Sequence, residues 1–198
     1  MKSRKGKTGQ HDPLLKFLRS MPETGPNGFE GLVRDLLEQW TGFTFRIAKS
    51  GSQFGRDGSS ESHGLFSVAF EAKRYNESSK LKDRELAGEL IQAHGSIPCL
   101  DLWILAATIE VGDSVENLRR QAEYLGVDLL ILDARSKGFG ALQIFCARYP
   151  TVVTAFCQSN NEFAATEEIA EHIESLRQSP LFHPAVERLR QSLSDSIL

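Results

Sequence analysis

An apolar run, Leu65-Phe66-Ser67-Val68-Ala69-Phe70, closes on Glu71-Ala72-Lys73, and no other stretch restricts the fold as much. In a β-strand, residues i and i+2 share a face. Glu71 and Lys73 then lie with Ala69 and Ser67, while Phe66, Val68, Phe70 and Ala72 fill the opposite, core-facing side. Two opposite charges at the end of a buried run are costly unless they pair or hold an ion. Asp57 lies upstream in Gly55-Arg56-Asp57-Gly58. From a neighbouring turn it adds a second carboxylate, so two carboxylates and one ammonium can converge on a point. Two carboxylates suit a hard divalent cation such as Mg²⁺, which normally keeps several waters. A lysine beside it can orient or deprotonate one of those waters. Metal-assisted phosphodiester hydrolysis needs that set of groups.

The pattern around this strand predicts alternating helices and strands. Pro13 to Arg19 suits a short helix. Asn27 is a candidate N-cap for a helix reaching Trp40, with Phe29, Leu32, Val33, Leu36, Leu37 and Trp40 at helical spacing and Glu30 beside that stripe. Thr41-Gly42 ends it. Phe43 to Ala48 reads as a strand, expected to pair antiparallel with Leu65 to Lys73, with room for a short strand around Asp57. Leu81 to His94 reads as a helix with Leu81, Leu86, Leu90 and Ile91 on one side. Leu100 to Ala107 is a nearly continuous apolar run, as expected of a buried strand. Ser114 to Leu125 is an amphipathic helix, and Val127 to Leu132 is a further strand. This order predicts an α/β fold, a mixed β-sheet flanked by helices. Leu142 to Cys146 and Thr151 to Phe156 suit strands, or the start of a helical region. Ala164 to Arg177 and Pro184 to Leu198 suit helices. The division expected is a basic N-terminal tail and connection over 1–26, a main domain over 27–157 and a helical C-terminal extension over 158–198. The last helix aligns Val186, Leu189, Leu193 and Ile197. That stripe is expected to be an assembly element, packing on another subunit or docking on a further domain, with folding back on the domain's own core as the competing outcome.

Four pieces in order resemble the PD-(D/E)XK nuclease superfamily, and within it the Mrr-like restriction endonuclease branch. They are the helix start Asn27-Gly28-Phe29-Glu30-Gly31-Leu32-Val33, the acidic turn Gly55-Arg56-Asp57-Gly58, the strand end Phe70-Glu71-Ala72-Lys73-Arg74-Tyr75 and the helix Leu81 to His94 leading into another strand. The resemblance covers the chain from Gly28 to Asp133. Arg56 stands where the family's motif has proline. The resemblance implies a restriction-endonuclease-like fold and a Mg²⁺-dependent endodeoxyribonuclease acting on double-stranded DNA, with Mn²⁺ able to substitute. Asp57, Glu71 and the Ala72 carbonyl would bind the cation. Lys73 would act on the attacking water and the developing charge, and Glu30 would contribute through a water or a second cation. Lys49, Arg56, Arg74, Lys80, Lys82 and Arg84 surround the motif and would form a basic rim for the DNA backbone. Mrr-like domains commonly serve prokaryotic defence, including as effector domains of antiviral STAND NTPases. A homo-oligomer or a fused sensor domain is therefore an expected partner. DNA repair or junction cleavage on the same fold remains an alternative, as does a non-catalytic DNA-binding or assembly module.

Each residue also has a plainer reading. Asp57 between glycines suits a turn. Glu71 and Lys73 suit a surface ion pair of small value. The six basic residues suit a solvated face. Gly51, Gly55 and Gly58 do not form a Walker loop, since no Lys-Ser/Thr follows.

Composition narrows the class. The chain has 198 residues, with 40% hydrophobic and 25% charged residues, which is enough for a sizeable globular core. A net charge of −3 argues against a constitutive high-affinity nucleic-acid binder, though not against an enzyme with local basic residues. Cys99, Cys146 and Cys157 lack metal-ligand spacing. Cys99 and Cys146 are expected to be buried reduced thiols, which fits a cytoplasmic protein. No apolar run approaches the roughly 20 residues of a membrane span.

Overall fold

The computed structural model describes residues 12–47, 56–60, 66–97, 99–136, 138–160 and 163–197. Its elements run α1 (Pro13–Ser20), α2 (Phe29–Thr41), β1 (Phe45–Ile47), β2 (Gly58–Ser60), β3 (Ser67–Lys73), α3 (Asp83–Ser96), β4 (Leu100–Ala107), α4 (Glu116–Leu125), β5 (Asp128–Asp133), α5 (Ala141–Arg148), α6 (Pro150–Ser159), α7 (Phe163–Gln178) and α8 (Phe182–Ile197). The fold is α/β, with a five-stranded mixed sheet in the order β1-β2-β3-β4-β5. Strands β3, β4 and β5 are parallel, whereas β1 and β2 extend the sheet antiparallel from β3.

The continuous apolar run Leu100–Ala107 is what a central parallel strand requires, because both its faces are covered. Leu102, Ile104 and Ala106 enter one core, shared with Val68, Phe70 and Ala72 of β3 and with α1, α2 and α5 to α8. Trp103, Leu105 and Ala107 enter the second, shared with Ala69 and with Leu86, Leu90 and Ala93 of α3 and Leu118 and Ala122 of α4. The strands advance in one direction through β3, β4 and β5, and successive crossovers of one hand place α3 and α4 on the same face.

Several expectations are corrected. The strand at Phe45 does not pair with β3, because β2 lies between them and pairs with both. Residues 142–146 and 151–156 are helical, in α5 and α6. Cys146 is buried as expected, but Cys99 is exposed and adopts φ 56°. Ile91 is 48% exposed and lies off the buried stripe of α3. The C-terminal helices share the main core: Ile169, Ile173, Leu176, Phe182 and Leu193 are all buried in it, and Val186 and Leu189 pack against it. Among the described residues, no helix is long and apolar enough to cross a membrane.

Candidate active site

Strand β3 extends past the end of its antiparallel ladder, and the candidate site forms at that point. The β2–β3 register pairs Ser59 with Ala69 and Gly58 with Phe70. One residue further, the Asp57 N–H donates to the Phe70 carbonyl at 2.9 Å. The backbone pairing then gives way to a side chain: the Ala72 N–H donates to Asp57 Oδ2 at 2.7 Å. In a strand the N–H and C=O of one residue point to the same edge. The Ala72 carbonyl therefore faces the edge where Asp57 sits. Gly58 permits this approach, since a Cβ there would lie 2.3 Å from Cε1 of Phe70.

Glu30 reaches the same place from α2. Its entry angle depends on Gly31, where a Cβ would stand 2.0 Å from the Pro26 carbonyl oxygen. The chain at Gly25 and Pro26 can thus lie across the start of α2, and the Gly25 N–H donates to Glu30 Oε2 at 3.0 Å. Gly28, one residue beyond the expected Asn27, occupies the N-cap. Glu30 also neighbours the side chain of Asp57, and each acts on the protonation of the other.

Glu71 and Lys73 project to the α3 side of the sheet, as strand parity requires. Lys73 Nζ lies 2.5 Å from Glu71 Oε1 and 2.9 Å from Glu89 Oε1 of α3. Glu71 Oε2 and Glu89 Oε2 are buried, and neither has a hydrogen-bond partner. Glu30, Asp57 and Glu71 are each only 3% exposed. Burial, with Glu71 and Glu30 nearby, pushes Asp57 up to about 8, and burial, with Glu89 and Glu30 nearby, pushes Glu71 up to about 7. Burial also raises Glu30. Burial acts to lower Lys73, but Glu71 and Glu89 outweigh it and hold the ammonium charged well above its usual range.

Asp57, Glu71, Lys73 and Glu30 are therefore brought together, and Glu89 joins them. Sequence reasoning missed Glu89. Its one signal is position, between Leu86 and Leu90 on the helix that returns across β3.

The expected basic rim is dispersed by comparison. The Arg56 guanidinium donates to Ser96 Oγ at 2.9 Å, and burial lowers its pKa. Arg74 donates to the Arg19 carbonyl at 3.0 Å, tying α1 to the end of β3. Lys82 pairs with Glu85 at 2.9 Å on the surface. Lys80 is exposed on the loop after β3. Arg84 lines the groove between α3 and α4 with Ile91 and Tyr124. Lys49 lies outside the described residues, as does the basic tail over 1–11. Tyr75 is half-buried, and its backbone N–H donates to Thr108 Oγ1 at 2.7 Å.

The donor set fits a water-rich divalent cation better than a closed cage. No three His, Cys, Asp or Glu side chains among the described residues group tightly enough to hold an ion by themselves. Mg²⁺ needs fewer, since it is commonly held by one or two carboxylates with water completing the octahedron. Asp57 and Glu71 could supply the carboxylates, and the unpartnered Glu71 Oε2 is a buried acceptor suited to a cation. No protein-family model matches this chain, and no curated protein or solved structure does either.

Proposed function

We propose that this protein is a Mg²⁺-dependent endonuclease that hydrolyses phosphodiester bonds in double-stranded DNA, on a restriction-endonuclease-like fold. One observation carries the reading. Asp57, just before β2, accepts from the Ala72 N–H beside Glu71, Lys73 shares the strand face of Glu71, and a Glu71 oxygen is buried without a partner. Three buried carboxyl groups repel each other when ionised, and a bound cation is the simplest compensation.

Asp57 and Glu71 would hold the cation, with the Ala72 carbonyl on the same edge. The cation supplies Lewis acidity toward a phosphoryl oxygen and lowers the pKa of water. Lys73 acts as an ammonium, because its neighbours keep it charged. It holds the attacking water by hydrogen bonding and stabilises the charge that grows on the phosphate. Glu30 lies beside Asp57 and contributes through a water or a second cation. A role in prokaryotic defence against foreign DNA goes with this proposal and rests on the sequence resemblance.

The test is direct. Purified protein incubated with supercoiled plasmid is expected to nick or linearise it in Mg²⁺ or Mn²⁺. The plasmid should stay intact in EDTA or in Ca²⁺, whose larger, looser coordination suits binding more than hydrolysis. Equal cutting in EDTA would refute a cation-dependent mechanism.

A further inference from the structure

We infer that Glu89 is a positioning residue that takes the Lys73 ammonium off Glu71 when a cation enters the site. The inference rests on the cation reading above. Lys73 Nζ is shared between two carboxylates, at 2.5 Å from Glu71 Oε1 and 2.9 Å from Glu89 Oε1. A divalent cation on Glu71 and an ammonium on the same carboxylate are like charges a few ångströms apart, in a site where water screens them poorly. The two cannot both keep Glu71. Lys73 lies past the end of the β2 ladder, but β4 holds its backbone, with the Thr108 N–H donating to the Lys73 carbonyl at 3.2 Å, so the side chain is the part that moves.

Glu89 is placed to receive it. It sits on α3, anchored by the buried Leu86 and Leu90, and its Oε2 is buried without a hydrogen-bond partner. A second, unused oxygen lets Glu89 take more of the ammonium as Glu71 gives it up. Glu71 is then free to hold the cation, and Lys73 stays charged at the edge of the site where the phosphate must lie. Among the described residues the ammonium pairs with Glu71 and Glu89, so without Glu89 it competes with the cation for Glu71. Residues that orient metal ligands in this way typically change affinity by about 10–100-fold when removed.

The test reads Mn²⁺ affinity by titration calorimetry on the whole chain without DNA, so it does not depend on cleavage. Glu89→Gln is expected to weaken Mn²⁺ binding by about tenfold or more. Glu89→Asp keeps the charge but draws it back from Lys73, and is expected to weaken binding as well. In a Lys73→Met background, Glu89→Gln should change the affinity by less than about twofold, because no ammonium is left to move. Circular dichroism checks that each variant is folded. An equal loss in both backgrounds would show that Glu89 acts only as one more negative charge and would overturn the inference. So would wild-type affinity in Glu89→Gln. Failure of the wild-type protein to bind Mn²⁺ is a different result: it would overturn the cation reading itself.

Discussion

At the scale of single residues, the site is defined by carboxyl groups that resist ionisation. Asp57, pushed up to about 8, and Glu71, pushed up to about 7, both stand above their usual values of 3.8 and 4.5. The folded, cation-free protein therefore keeps protons that the unfolded chain has already lost. Their contribution to stability is complete below the unfolded values and is lost as pH rises through the folded ones. The melting temperature without metal should fall as pH rises from about 5 to 8. Asp57→Asn should flatten that fall and, at pH 8, raise the melting temperature by about 2–8 °C, corresponding to about 1–2 kcal/mol. Mg²⁺ should stabilise the wild type more at pH 8 than at pH 5, where the carboxyl groups are protonated. Thermal scans across pH decide this, and a melting temperature that climbs with pH would contradict it. Glu71 and Lys73 are legible in the sequence from strand parity and Asp57 from the turn upstream, whereas Glu30 enters only through the resemblance. Glu89 is not legible, because its meeting with Lys73 depends on how α3 lies across β3. Cys99 was misplaced for a similar reason: it sits in a left-handed turn just before β4, where the apolar pattern does not yet apply.

At the scale of elements, legibility followed periodicity. Helix α2 and strand β4 agree with their expected spans to within a residue or two, because each carries an unbroken pattern. The stretch 142–156 did not resolve into helix or strand from sequence. Nearly every residue of α5 from Leu142 to Ala147 is buried, so no polar face reveals a helical period. The short β2 was only hinted at, since three residues carry little pattern of their own. The stripe on α8 reads from the sequence as an assembly element, but the structure folds it inward: Leu193 is 7% exposed and Leu189 packs against the same core. Replacing both, Leu189→Glu with Leu193→Glu, is expected to cost about 3 kcal/mol or more, since burying one such side chain is worth about 1.5–3 kcal/mol. The melting temperature should drop with no change in mass by light scattering. A fall in mass with unchanged melting would instead make α8 a contact between subunits.

At the scale of the whole molecule, one architecture explains both the core and the site. The parallel strands β3, β4 and β5 need two covered faces, and the helices provide them. The antiparallel pair β1 and β2 stops short of the end of β3, and that mismatch opens the edge where Asp57 replaces backbone pairing. Helix α2 brings Glu30 from one face of the sheet and α3 brings Glu89 from the other. Such convergence at a strand end is costly for stability, as the raised carboxyl groups show, and is characteristic of functional sites. The account stands on whether these groups perform chemistry together. The most direct measurement is the rate at which supercoiled plasmid is lost in Mg²⁺ with the wild type and with Glu71→Gln, which keeps the shape of the side chain and removes its charge. The variant is expected to fold and to lose activity by about a hundredfold or more. Equal rates for the two proteins would contradict it.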